Sequence, residues 1–424
     1  MSVLRVLSRH APFRALWAGQ SLSLLGTAVT EIAVPLTAAV YLEASPFEMG
    51  LLTACGYLPW LIIGLPAGAW VDAGSKRRTL ILSDLVRFAL LLAVPLAAWA
   101  DVLHMSMLLV IVLCVGVCTV FYESAASATI PRLLPDDALI EGNSLIRLSH
   151  SVSFVAGPGL GGSLVGLLTA PVALVADALS YLASAFYMRK VPDEKPEPRD
   201  GTERRGMSSE LSEGLGVLFG SKHLRAAVLS TAMLAMANGI FSPVYILFLT
   251  RDLDITPSLV AVPYMVFGAG SIAGSFLAGP VGRRFGFGPA LVTAGIVNGL
   301  ISLAIPLLGV RGLPLALIVA PWLFFGLIGP VYGSLVQTLI QSAAPKDMLG
   351  RISSSSNFVA WGCQAVAALI GGGLGSALGL RATLYVSCCV YLAAPVFLFC
   401  SPARRLRKPP PRPEAAPSQS TAAQ

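Results

Sequence analysis

The chain has 424 residues, of which 55% are hydrophobic and 12% charged, with a mean hydropathy of +0.76. Soluble domains carry about 25% charged residues, so the composition excludes that class and points to an all-α polytopic membrane protein. The formal charge of +7 does not indicate nucleic acid, because the bases fall between apolar runs and gather on no single face. The seven cysteines lie in or beside apolar segments with no Cys-x-x-Cys and no histidine at ligand spacing, which reads as packing with no metal and no disulfide.

A spanning helix needs about 20 mostly apolar residues. Twelve stretches qualify, at 13–42, 47–71, 79–100, 104–130, 139–168, 171–188, 224–250, 257–281, 287–309, 314–342, 348–378 and 382–401. The first is too long for a cleavable signal and is followed by further spans, so it is expected to stay as a helix. Pro35, Pro59, Pro95, Pro158, Pro243, Pro263, Pro306 and Pro330 are expected to kink their spans. With both termini on one side, 26 of the 29 Lys and Arg residues fall on that side, and only Arg251, Arg311 and Arg381 fall on the other. Loop bases are retained in the cytoplasm, so both termini are expected there.

The spans divide into a six-helix bundle at 1–190, a charged and proline-containing cytoplasmic linker at 191–221, a second six-helix bundle at 222–402, and a tail at 403–424 whose composition is that of a disordered end. An amphipathic helix is expected near Met207–Phe219 of the linker. The bundles read as repeats. Phe13-Arg14-Ala15 aligns with Leu224-Arg225-Ala226, Gly68 with Gly279, Pro135 with Pro345, and Gly157-Pro-Gly-Leu-Gly161 with Gly371-Gly-Gly-Leu-Gly375, at offsets of 211, 211, 210 and 214. In parallel-repeat transporters the substrate binds near mid-bilayer between the halves.

Between the second and third spans runs Gly64-Leu-Pro-Ala-Gly68-Ala-Trp-Val-Asp72-Ala-Gly-Ser-Lys76-Arg77-Arg78. An apolar run ends in a lone acid, turns, and restarts after three bases, which suits a hinge with a cytoplasmic anchor. This stretch resembles the signature of the major facilitator superfamily between spans two and three, with Gly68, Asp72, Lys76 and Arg77 in matching positions, Ala73 where an Arg is usual and Ser75 where a Gly is usual. The second half repeats the pattern as Gly279-Pro-Val-Gly-Arg283-Arg284-Phe-Gly286, with Arg283 in the aspartate position. Asp72 is therefore expected to act alone in the gate and to cap the start of span eleven near Leu349–Ile352.

Phe13-Arg14-x-Leu16-Trp17-x-Gly19-Gln20, Gly157-Pro158, Asp177-Ala-x-Ser180-Tyr181, Gly350-Arg351 and Trp361-Gly362 resemble the branch holding macrolide-efflux and siderophore-export proteins. Gly157-Pro158-Gly-Leu-Gly161-Gly162 on span five is similar to an antiporter signature, and ordinary close helix packing accounts for those glycines equally. The resemblance implies a transporter in the bacterial cytoplasmic membrane that exports hydrophobic or amphipathic small molecules by alternating access. Its partners would be a small-molecule substrate, protons and the lipid bilayer, without nucleic acid or cofactor, and it would act as a monomer. A siderophore or lysolipid translocator of the same fold, and a non-transporting membrane sensor, are the other readings.

Ionisable groups within lipid are costly and therefore functional hypotheses. Glu31, near the middle of span one, shares a helical stripe with Gln20, Ser23 and Thr27 that should face the cavity. As a coupling acid it must be neutral when buried and ionised when the cavity opens. Glu123 and Arg147 lie about 12 Å deep on neighbouring spans and are expected to pair, as a static brace or as a proton-operated switch. Asp177, near the external end of span six, is a further proton-coupling candidate with mere hydration near the surface as its plainer reading, and Asp84 with Arg87, three apart near the cytoplasm, reads as a structural pair. Spans seven to twelve carry no interior acid, so coupling is expected in the first half. The second half offers Asn238, Ser242 and Tyr245 on span seven and Trp322, Phe325 and Tyr332 on span ten, a lining suited to a bulky amphipathic ligand. No phosphate-binding Gly-x-x-x-x-Gly-Lys-Ser/Thr and no catalytic set of histidines appears, so no enzyme activity is expected.

Overall fold

A computed structural model describes residues 3–193, 207–345 and 348–410. Among them are fourteen α-helices: α1 (Val3–Arg9), α2 (Ala11–Leu36), α3 (Pro46–Ala73), α4 (Lys76–Trp99), α5 (Met105–Leu133), α6 (Leu139–Leu167), α7 (Ala170–Met188), α8 (Met207–Gly220), α9 (Lys222–Leu247), α10 (Val262–Phe285), α11 (Phe287–Leu308), α12 (Leu315–Ala343), α13 (Leu349–Leu378) and α14 (Leu380–Phe399). Helices α2–α7 and α9–α14 correspond to the twelve expected spans, and α8 to the expected linker helix.

Local chemistry sets the ends. Before α3, the Ser45 hydroxyl accepts from the Glu48 backbone N–H at 3.3 Å while Glu48 accepts from Ser45 N–H at 2.7 Å. This reciprocal cap is followed by Pro46 in the first turn. The turn after α3 consists of Gly74 and Ser75 alone, and Ser75 caps α4 by accepting from Arg78 N–H at 3.2 Å. Pro263 lies in the first turn of α10 and so starts that helix instead of kinking it.

One of the twelve is chemically unlike the rest. Helix α6 has 29 residues, enough to cross a bilayer, yet only the other eleven are apolar enough to be identified as spans by composition. Its Glu141, Arg147, His150 and run of serines are tolerable because much of α6 packs against α2 and faces the other half.

The internal repeat is present in the backbone. Helices α2 and α9 both run into a π-helical turn, Thr37–Tyr41 and Phe248–Asp252, 211 residues apart. Beyond each turn a non-glycine residue takes positive φ, Glu43 at 50° and Asp254 at 60°, again 211 apart. The packing repeats too: α2 pairs with α6 and α7 as α9 does with α13 and α14, and α3·α5, α4·α5 and α4·α7 recur as α10·α12, α11·α12 and α11·α14.

The halves meet mainly through α3·α13 and α6·α10. Along α3 the contact runs from Pro46 against Gly375 to Gly64 near Trp361, and along α6 from Gly166 against Ser258 to Phe154 against Phe267. The contact runs from the end opposite the termini to the middle of α6 and past the middle of α3. Toward the termini the halves part: a Cβ placed on Gly68 or Gly350 would meet nothing within 4 Å. The cavity between the halves is thus open at the basic end and closed at the other.

The first residues of the expected disordered tail are part of the bundle. Backbone N–H groups of Phe287 and Gly288 donate to the carbonyls of Arg407 (3.2 Å) and Leu406 (2.7 Å), which satisfies the otherwise orphaned donors that start α11. Ala403 is fully buried. Residues 411–424 lie outside the described residues.

Candidate functional site

Glu31 stands between the halves. It lies on α2, five residues before the helix gives way to its π turn, and so beyond the middle of its span toward the closed end. Its side chain is exposed in the cavity, and its charge acts on Tyr57 of α3 and on Tyr264 of α10 across the interface. Among the described residues no base pairs with it.

The rest of the expected stripe points elsewhere. Gln20 is 3% exposed, its Oε1 without a hydrogen-bond partner, and Thr27 shares a 3.0 Å hydrogen bond with the Tyr181 hydroxyl of α7. Packing of α7 along this side of α2 takes Gln20, Ser23 and Thr27 out of the cavity and leaves Glu31 in it.

Facing Glu31 from the second half is a continuous aromatic wall. Tyr245 stacks on Phe241 with ring centroids 4.7 Å apart and lies 5.0 Å from Trp322; Tyr264 lies 5.7 Å from Trp322 and 6.1 Å from Tyr245. Phe267 and Phe325 extend the wall, at 6.0 and 6.1 Å from Trp322. Edge-to-face and offset contacts of this kind hold rings rigidly. Asn238 is exposed and Ser242 half-buried on α9, in keeping with a cavity lining. Tyr245 and Trp322 are buried behind the wall's surface, and the Tyr245 hydroxyl and Trp322 Nε1 have no hydrogen-bond partner. Tyr332 does not belong to the cavity: it is buried inside the second bundle, its hydroxyl bonded to Ser230 of α9. The wall's α10 members, Tyr264 and Phe267, escaped the sequence reading because single aromatics in an apolar span carry no signal of which way they face.

A second cluster of ionisable groups lies inside the first bundle. Arg87 of α4 is 2% exposed and Asp84 and Asp177 are fully buried. Arg87 Nη2 donates to Asp84 Oδ1, and its guanidinium carbon lies 4.4 Å from the Tyr122 ring and 4.2 Å from the Tyr181 ring. Asp177 accepts from Thr30 at 2.5 Å and from the Ser180 hydroxyl at 2.9 Å. Two expectations change here. Asp177 is not hydrated at the surface, because Gly26 of α2 lets that helix close directly over it. Asp84 and Arg87 pair as expected, but deep in the bundle and not near the cytoplasm, since Arg87 lies eleven residues beyond Lys76 on α4, about 16 Å of depth.

Glu123 and Arg147 form no ion pair within 4 Å. The bases nearest Glu123 are His150 and Arg87, and Arg147 is exposed. His150, one turn further along the same face of α6, takes the place beside Glu123 that was expected of Arg147.

At the basic end, Lys76 Nζ lies 3.9 Å from Asp72. Arg78 lies 3.8 Å from Asp193, which also accepts from Ser75, so the turn is tied to the end of α7. Helix α13 follows Met348, whose own side chain supplies no cap. Arg77 is half-buried and Arg283 exposed, with Gly68 open beside the gap. Arg351 Nη1 donates to the Glu213 carboxylate of α8 at 2.9 Å.

Comparison with known proteins agrees with this architecture. The chain is 24% identical to macrolide efflux protein A of Streptococcus pyogenes over 352 residues, covering 81% of this chain and 84% of that protein. It is 26% identical to the multidrug efflux pump Tap of Mycolicibacterium fortuitum over 386 residues, covering 88% and 90%. Among solved structures it superposes on a bacterial homologue of the iron transporter ferroportin in its inward-facing state with a TM-score of 0.74 at 15% identity, covering 94% of this chain and 99% of that one. A bacterial homologue of the lysosomal transporter Spinster, also inward-facing, gives 0.72 at 16% identity, covering 93% and 96%. The outward-facing state of the ferroportin homologue gives 0.56 at 17% identity, covering 91% and 98%. The family model of the Major Facilitator Superfamily matches residues 16–365, and the chain belongs to that family.

Proposed function

We propose that this protein is an efflux transporter of the bacterial cytoplasmic membrane that moves hydrophobic or amphipathic small molecules, of the macrolide and multidrug type, by proton antiport. The observation that carries this reading is Glu31, a lone acid exposed between the halves and opposed by an aromatic wall. The wall offers apolar and stacking contact to a bulky ligand, while the acid can hold a proton when the cavity is dry and release it when the cavity is wet. The bias of Lys and Arg places the open end and both termini in the cytoplasm, so the structure corresponds to a state that receives cargo from inside. The efflux relatives support the direction.

The test is expression in an efflux-deficient bacterial host against a panel of macrolides, dyes, siderophores and lysolipids. Macrolides or dyes should be expelled by the wild type and retained at least tenfold more by Glu31→Gln at equal protein abundance. Export confined to siderophores or lysolipids would move the substrate class, and an unchanged Glu31→Gln would remove this acid from coupling.

A further inference from the structure

We propose that Asp84, Arg87 and Asp177 form a second proton-binding site, in which two buried carboxylates share one guanidinium and one exchangeable proton. The function of this site in coupling rests on the antiport reading; its occupancy by a proton does not.

Two acids and one base meet here in a dry place. All three groups are withdrawn from solvent, and each helix packed around them can be searched for compensation. From α2 come the hydroxyls of Thr27 and Thr30. From α5 come Cys118, Tyr122 and a further acid, Glu123, all of which interact with Arg87. From α7 come Ser180, Tyr181 and Ser184 beside Asp177 itself. His150 of α6 acts on Glu123. Arg87 is thus the one base among the described residues that faces both aspartates. Were both ionised, the site would hold an uncompensated negative charge, which burial penalises heavily. One proton bound to one carboxylate balances it.

The hydrogen bonds are those of a site with two settings. Arg87 now bonds Asp84 Oδ1, while Asp84 Oδ2 and Arg87 Nε have no partner. Asp177 lies one turn before Tyr181, whose ring is 4.2 Å from the Arg87 guanidinium, and its oxygens are held by the neutral donors Thr30 and Ser180. A proton on Asp177 leaves Arg87 with Asp84; its loss gives Asp177 a full charge that competes for the guanidinium. The Tyr122 and Tyr181 rings, 4.4 and 4.2 Å from the guanidinium carbon, give the cation two ring contacts that hold it beside both carboxylates. The reading reaches the cavity through α2, where Thr30 bonds Asp177 and the next residue is Glu31. Protonation inside the bundle and the ionisation of Glu31 would therefore bias the same helix.

The test is infrared difference spectroscopy of the purified full-length protein in a Glu31→Gln background, reading the carbonyl band of a buried protonated carboxyl at neutral pH. Asp177→Asn and Asp84→Asn each leave one carboxylate for one guanidinium, so either should abolish the band. Two variants guard against one failing to accumulate. A background protein with no such band, or a band that survives both substitutions, would overturn the site. Proteoliposomes carrying native Glu31 separate the coupling role: Asp177→Asn should lose at least tenfold of pH-driven uphill export and keep downhill exchange. Wild type that shows no pH-driven export would remove the antiport reading and leave the spectroscopic result standing.

Discussion

Replacing Arg251 by Gln should shift the protein toward an outward-open state by at least tenfold. Arg251 lies in the π-helical turn that follows α9 in the second half, and its Nη2 donates to backbone carbonyls of the first half, Ala44 at 2.8 Å and Ala39 at 3.3 Å. It is therefore a clamp across the closed face. A hydrogen bond from a charged donor contributes about 1.5–3 kcal/mol, and about 1.4 kcal/mol is a factor of ten in an equilibrium. The repeat gives no second clamp, since Val40 occupies the equivalent position 211 residues earlier. The other two bases at this end are engaged within the second half, Arg311 with Asp254 and Arg381 with the Gly309 carbonyl. The check is a pair of spin labels at exposed positions, Phe47→Cys on α3 and Leu378→Cys on α13, after replacement of the native cysteines. The long-distance population should grow in Arg251→Gln, and an unchanged distribution would mean that the clamp holds nothing.

Gly372→Leu should act on the same equilibrium by force, not by loss of attraction. A Cβ at Gly372 would lie 2.7 Å from the Pro46 carbonyl oxygen, 2.9 Å from Gly50 Cα and 3.1 Å from Phe47 Cα. All three are backbone atoms of α3, so no side chain can rotate away, and the helices must separate at the closed end. Gly373→Leu is the internal control, because a Cβ there meets nothing within 4 Å. Gly372→Leu is expected to lower export more than tenfold and lengthen the 47–378 distance, while Gly373→Leu leaves both unchanged. Equal behaviour of the two would show that the seam is not the contact that closes this face.

These expectations draw on two kinds of legibility. Span positions, the six-plus-six division and the turn from Gly64 to Arg78 could be read from sequence because hydropathy, loop charge and capping are local properties. The repeat at 211 residues was legible through scattered identities and proved to extend to π turns and positive φ angles that carry no sequence motif. Glu31 was legible because a lone acid in an apolar run is conspicuous. What could not be read was rotation. Glu123 and Arg147 match in expected depth yet form no pair, because His150 one turn on stands beside Glu123, and Gln20 and Thr27 share a stripe with Glu31 yet are covered by α7. The union of Asp177 with Asp84 and Arg87 links residues about ninety positions apart, and only the packing of α4 on α7 reveals it.

Proton antiport through Glu31 can be tested most directly in everted membrane vesicles given a macrolide and an imposed pH gradient, acid inside. The expected result is macrolide accumulation against its gradient that stops when an uncoupler collapses the proton gradient. Accumulation that continues at the same rate after collapse would contradict it.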